Sequence, residues 1–148
     1  MRIKNVLAAL LAVSVYMLPS LANAAEHVVR SKGLTAFDKP IIYIAPGDTV
    51  HFKGMNGGHN SESVFTPEGG ESWKGAMNKD ISVTLTVPGF YGYLCLPHAG
   101  LGMNGVIVVG DAGDKEPMMQ KLRDLPQTDF SRKLLGKLNK VKAENYVK

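Results

Sequence analysis

The chain has 148 residues, with 17 Lys and Arg against 13 Asp and Glu, 45% hydrophobic residues and a single cysteine. A formal charge of +4, with no basic run interleaved with aromatics, argues against a nucleic-acid partner. One cysteine excludes an internal disulfide, and it leaves a thiol that needs either a use or a protector.

Arg2 and Lys4 precede an apolar run from Val6 to Leu18. Pro19 and Ser20 then lead to Ala22-Asn23-Ala24, a small-x-small cleavage signature. The apolar run is short for a membrane span. Residues 1–24 are therefore predicted to be a cleavable secretory signal peptide, and 25–148 a single exported domain. Nothing after Ala24 approaches transmembrane length. Without Arg2 and Lys4 the balance is fifteen basic residues to thirteen acidic, a net +2, which leaves room for a local basic face but not for a strongly basic protein.

From Ala25 to Gly110 the pattern is short strands broken by turns. Glu26 to Ser31 and Ile41 to Ile44 are apolar or β-branched. Pro46-Gly47-Asp48 signals a turn, and Thr49 to Lys53 carries Val50 and Phe52 on one face. Gly54 to Gly58 reads as loop. Ile81 to Val87 alternates with period two, Ile81, Val83, Leu85 and Val87 against Ser82, Thr84 and Thr86. Pro88-Gly89 turns into a strand from Phe90 to Cys95, and Gly105 to Val109 is a continuous apolar strand. Strands at this spacing predict a β-sandwich or barrel.

The tail changes period. Asp114-Lys115-Glu116-Pro117 has the composition of a helix start, and Met118, Met119, Leu122 and Leu125 recur at helical spacing until Pro126. A second helix is predicted from about Asp129, with Phe130, Leu134, Leu135, Leu138 and Val141 in one stripe. Arg132, Lys133, Lys137 and Lys140 lie largely off it. This helical extension, about 114–144, is expected to pack on the sandwich.

The chemistry concentrates around Cys95. It ends a strand, Pro97 restrains the loop that follows, and Gly100 and Gly102 permit a tight reversal, so His98 and Met103 can return to the same point. Zinc rarely accepts methionine, and calcium or magnesium require oxygen. Two histidines and a cysteine with a weak axial methionine form an electron-transfer copper arrangement. Of the other histidines, His27 and His51 lie in strands and read as ordinary strand residues. His59 follows Asn56-Gly57-Gly58 at a loop-to-strand junction and is the better second imidazole. Two other readings stay open on spacing alone. Cys95 and Met103 could be apolar core, or Cys95 and His98 a nucleophile and its base, although no third orienting group stands out.

Cys95-x-x-His98-x-x-x-x-Met103 resembles the ligand loop of the cupredoxins, the small blue copper proteins. The two helices after the sandwich are similar to the pseudoazurin branch of that family. So are PGFYGYLC (88–95), GMNGVIVVGD (102–111), Pro67-Glu68-Gly69 with Glu71-Ser72-Trp73-Lys74, and His59-Asn60 ahead of Glu62. The resemblance implies a mainly β fold, a cupredoxin-like Greek-key β-sandwich or barrel with two C-terminal α-helices packed on it. It implies one type 1 copper ion on His59, Cys95, His98 and Met103, with Asn60 tying the two ligand loops together. It further implies a periplasmic electron carrier, not an enzyme, that cycles Cu(I)/Cu(II). Its partner would be a transient redox protein such as a copper nitrite reductase, with a cytochrome as upstream donor, and a monomer is expected. Lys32 and Lys74 match the family's docking lysines. Gly57 and Leu94 stand where lysine is common, and the segment Leu34 to Asp38 is shorter than usual, so the partner is the point at which this chain departs. A copper chaperone or buffer is the alternative, against which Met118-Met119 is too isolated to form a metal-releasing cluster.

Overall fold

The computed structural model describes residues 23–148; the predicted signal peptide falls almost wholly outside the described residues. Eight strands form two four-stranded sheets. The first sheet, in spatial order, contains β2 (Ala36–Phe37), β1 (Glu26–Lys32), β4 (Thr49–Lys53) and β6 (Ile81–Thr84). The second contains β3 (Ile41–Ile44), β8 (Asn104–Val109), β7 (Gly89–Leu94) and β5 (Glu62–Phe65). β1 and β4 run parallel, as do β3 and β8, and the remaining pairs are antiparallel. Both parallel pairs join strands separated by other elements, because a parallel neighbour requires a crossover rather than a hairpin.

The core lies between the sheets. Val29, Val50 and Phe52 of the first sheet meet Ile44, Tyr91, Tyr93, Ile107 and Val109 of the second, all at 0% exposure. Phe52 is the hub of an aromatic cluster, edge-on to Tyr93 at 5.0 Å between centroids and stacked on Trp73 at 5.8 Å. Such contacts fix ring orientation beyond what apolar burial alone would.

The uninterrupted apolar run of β8 has a specific cause. Ile107 and Val109 face the inter-sheet core, while Val106 and Val108 face outward into a second cluster with Met119, Leu122, Leu134 and Leu138. These come from two helices, α1 (Glu116–Asp124) and α2 (Asp129–Asn139), which cover that outer face. A strand buried on both sides loses the alternation of a half-exposed one.

Helix termini follow local chemistry. Thr128 caps α2, its Oγ1 accepting from the Ser131 N–H at 3.3 Å. At the other end the Lys115 ammonium donates to the carbonyls of Asn139 (2.6 Å) and Val141 (2.7 Å), where helix carbonyls lack partners. α1 stops at Asp124, and Leu125 is extended ahead of Pro126, as the residue before proline tends to be. Leu125 is consequently 46% exposed and not part of the predicted apolar stripe.

Two other sequence expectations change. The alternating segment 81–87 forms a strand only as far as Thr84. Leu85 is buried and still bonded to the β3–β4 turn, but the Thr86 N–H donates to Glu71 instead of a neighbouring strand. β2, with two residues, and β5, whose Glu-Ser-Val-Phe neither alternates nor forms an apolar run, are strands the sequence does not reveal.

Asp48 closes one end of the barrel. It is 5% exposed and accepts from the backbone N–H groups of Ala25 (2.8 Å) and Ala45 (2.9 Å) and from His27 Nε2 (2.8 Å). Burial opposes its ionisation, but the His27 contact and the two backbone donors outweigh it and hold the carboxyl below its ordinary value of 3.8. A carboxyl that titrates lower folded than unfolded contributes fully above the unfolded value, and its contribution is lost as pH falls through the folded one. Asp48→Asn should therefore cost about 1–3 kcal/mol at pH 7, and the wild-type advantage should shrink below pH 4 or so. Urea unfolding of both proteins at several pH values measures this; a gap independent of pH would contradict it.

Candidate metal centre

The centre is built by closing one loop. All six residues of β7 are buried, and Cys95, the next residue, is 0% exposed. Leu96–Leu101 winds into a 3-10 turn with Pro97 in its first turn. Gly102 ends that turn in the left-handed region (φ 91°), where a side chain would be strained. A Cβ there would also lie 2.3 Å from Lys133 Cδ. The chain then returns on itself. Cys95 N–H donates to the Met103 carbonyl (2.9 Å), Met103 N–H to that of His98 (3.2 Å), and His98 N–H to that of Cys95 (3.1 Å). Met103, itself 0% exposed, is thus held against Cys95 before Asn104 enters β8 opposite Leu94.

His59 comes from the β4–β5 connection. Its N–H donates to Met55 and its carbonyl accepts from Asn78, which fixes the backbone on both sides. The Nδ1 atoms of His59 and His98 lie 3.7 Å and 3.5 Å from Cys95 Sγ, and the two rings are 4.9 Å apart between centroids. The ligating atoms of His59, Cys95 and His98 all fall within 4.8 Å of one another. Burial, and after it the adjacent His98 imidazole, lowers the basicity of His59, which favours the neutral ring that a metal needs. Donors spaced this way suit a common neighbour at roughly 2.0–2.3 Å, the bond length of nitrogen and thiolate ligands to transition metals.

Asn60 is the clasp between the two loops. Its Oδ1 accepts from the Leu96 N–H at 2.7 Å, while its Nδ2 donates to the Gly75 carbonyl at 3.2 Å and to Glu62 at 3.3 Å. Behind it, Trp73 Nε1 donates to Ser61 Oγ (3.0 Å) and the Gly75 N–H to the Ser61 carbonyl (2.8 Å). The sequence pointed to the four converging residues and to Asn60. His27 and His51 lie elsewhere, on Asp48 and on Glu26 with Ser82.

Two supporting residues escaped the sequence reading. Lys137 is not off the packed stripe but half-buried, its Nζ donating to the Gly102 carbonyl (3.1 Å) and to Asn104 Oδ1 (2.5 Å). Burial, and then the like charges of Lys133 and Lys140, lowers its pKa to about 8. The available signal was spacing, since Lys137 lies three residues after Leu134 and four before Val141. Asn104 is 1% exposed, in a run that otherwise reads as plain strand.

A two-sheet barrel holding two imidazoles and a thiol, with a methionine closing the same loop, defines a cupredoxin. The family model for copper binding proteins of the plastocyanin/azurin family matches residues 24–110. Pseudoazurin of Paracoccus pantotrophus is 38% identical over 96 residues, 60% of this chain and 66% of that protein, so the match spans a little under two thirds of the relative. A pseudoazurin structure from Sinorhizobium, 34% identical, superposes with a TM-score of 0.65 over 78% of this chain and 98% of the other. One from Hyphomicrobium denitrificans, 28% identical, gives 0.67 over 80% and 99%. The chain belongs to the copper-binding plastocyanin/azurin family, on its pseudoazurin branch. Soft sulfur with two imidazoles, and no carboxylate in the cluster, fits copper.

Asn60→Ala should unfold more easily even without metal, because the Leu96 N–H and the Gly75 carbonyl both lose a buried partner. The expected loss is about 2–4 kcal/mol, read by urea unfolding of the metal-free domain. An unchanged midpoint would mean that Asn60 does not clasp the loops.

Proposed function

We propose that His59, Cys95, His98 and Met103 hold one copper ion and that the protein is a periplasmic carrier of single electrons. The observation behind this reading is the convergence of two Nδ1 atoms on the Sγ of the only cysteine, with Cys95 and His59 buried and His98 half-buried. When bound, copper supplies one-electron chemistry between Cu(I) and Cu(II). The chain supplies the rest. Its ligands are placed by sheet and backbone bonds, so they need not move when the charge changes. His59, at 4% exposure, keeps water from one side.

The exit for the electron is the His98 edge. That ring is half-buried, and Leu96 (53% exposed), Leu101 (60%) and Pro97 form an apolar apron around it. A dry, flat contact of this kind suits a brief encounter, and charges at its rim set the encounter rate. Lys32 and Lys74 are exposed as docking would require. Leu94, however, is 6% exposed and packed in β7, and Gly57 lies beside the His59 ring, with space for a Cβ 3.5 Å from its Cδ2. The rim is therefore less basic there than in the family pattern. A copper nitrite reductase as acceptor and a cytochrome as donor follow from the family resemblance, as does a monomer. Export is supported by the Ala25 backbone, whose N–H on Asp48 and carbonyl on Thr49 begin the packed domain directly after the small-x-small signature.

Burial of Cys95 disfavours a thiol enzyme, because a substrate has no approach to Sγ. Burial of Met103 and His59 disfavours a chaperone, which needs exposed donors that release metal.

The domain from Ala25 with one equivalent of Cu(II) should show an intense thiolate-to-copper absorption, bleached reversibly by ascorbate and absent in Cys95→Ser. Pale copper that ignores the mutation would sink the assignment. Met103→Gln should retain copper and lower the reduction potential, since the axial ligand tunes it; voltammetry reading no change would remove Met103 from the ligand set.

A further inference from the structure

We propose that Lys137 is a positioning residue for the metal centre: from helix α2 its ammonium grips both sides of Met103, through the Gly102 carbonyl and the Asn104 side chain, and holds the ligand loop in place. This rests on the assignment of Met103 as a ligand. The two bonds, at 3.1 Å and 2.5 Å, bracket Met103 in sequence. A third bond from the same helix, Lys133 Nζ to the Leu101 carbonyl at 2.9 Å, extends the grip by one residue.

The energetics point the same way. A lysine normally keeps its ammonium in water while the stem covers apolar surface. Lys137 instead withdraws its charge toward the loop, which is tolerable only where acceptors replace the lost solvent. Asn104 is nearly fully buried, and its Nδ2 finds no hydrogen-bond partner. Turning the amide over would face that NH2 toward the Lys137 ammonium, donor against donor, so the lysine also sets the orientation of the side chain next to Met103. An unsatisfied buried donor is a cost the fold would not carry for packing alone. Leucine or valine at position 104 would fill the space without it. The arrangement makes sense if the asparagine is there to receive the lysine.

The consequence is that the C-terminal helices do more than cover the outer face of the second sheet. α2 is hydrogen-bonded to the loop at Leu101, Gly102 and Asn104, whereas the sheet ladder ends at the pair of Leu94 and Asn104. Without the lysines, the stretch from Ala99 to Met103 would rely on the bonds of its own turn.

The test compares Lys137→Met and Asn104→Leu with Lys140→Gln, which removes the same charge from the exposed C-cap of the same helix. Two readouts are used. In the metal-free domain, amide hydrogen exchange at Met103 and Asn104 should quicken roughly tenfold in the first two variants, as expected for losing one charged hydrogen bond. In the copper-loaded protein, the thiolate-to-copper band and the electron paramagnetic resonance parameters should shift in the same two. Lys140→Gln should leave both readouts at wild-type values. A Lys137→Met protein with wild-type spectrum and local exchange, even if less stable overall, would overturn the proposal. So would a Lys140→Gln protein that shifts as much. If Lys137→Met does not fold, Asn104→Leu decides by the same criteria, because it keeps the ammonium and its bond to Gly102 and removes only the Asn104 acceptor. Failure of the wild-type protein to develop the thiolate band would strike the copper assignment, and the exchange measurement would still decide whether the lysine holds the loop.

Discussion

The return of the chain from Cys95 to Met103 is the constraint on which the rest of the molecule depends. Three backbone hydrogen bonds close that loop, and each joins one of the three residues that face the centre to another. Peptide groups, not side chains, therefore set the relative positions of the thiol, one imidazole and the thioether. Side-chain rotamers have little left to decide. The cost is local: a left-handed residue at Gly102 and a turn whose residues bury no large side chain of their own.

A loop with so little packing of its own must borrow rigidity from its surroundings. On one side β7 and β8 hold its two ends, both strands buried on both faces. On a second side Asn60 ties the Leu96 N–H to the loop that carries His59, and Trp73 and Ser61 brace that loop from behind. On a third side lies α2, with Lys133 and Lys137. The aromatic cluster around Phe52 links the first two, since Trp73 and Tyr93 both pack against it. The same scaffold leaves one face uncovered, where Leu96, Pro97 and Leu101 surround His98. Burial of Cys95 and Met103 and exposure of a contact face around His98 are thus two results of one loop conformation.

The strands that the sequence made legible were those with an apolar or β-branched run or a clear alternation: β1, β3, β4, β7 and β8. β2 was missed because it has two residues, and β5 because its Glu-Ser-Val-Phe shows neither alternation nor an apolar run. Ile81 to Val87 displayed a period longer than its strand, because Leu85 and Val87 keep an inward side after the ladder has ended at Thr84. In the tail, the stripe through Phe130, Leu134, Leu138 and Val141 located α2 from sequence. Leu125 misled, since an apolar residue at helical spacing lies outside the helix once Pro126 forces it to extend.

What the sequence determined by itself was a local grouping of candidate donors: one thiol, an imidazole three residues on, a thioether five beyond that, and glycines and a proline that let the chain turn between them. Those features are local, and local spacing is what a sequence displays. His59 was only a best candidate among the remaining histidines, because nothing in the chain between it and Cys95 states that they meet. Tertiary structure decided that, by pairing β5 with β7 and drawing Asn60 onto Leu96. It decided equally that Lys137 turns inward, where spacing with Leu134 and Val141 competed with the preference of a charged group for water. The outcome rested on whether buried acceptors waited at the other end, and Gly102 and Asn104, more than thirty residues earlier, supply them only when the helix is packed.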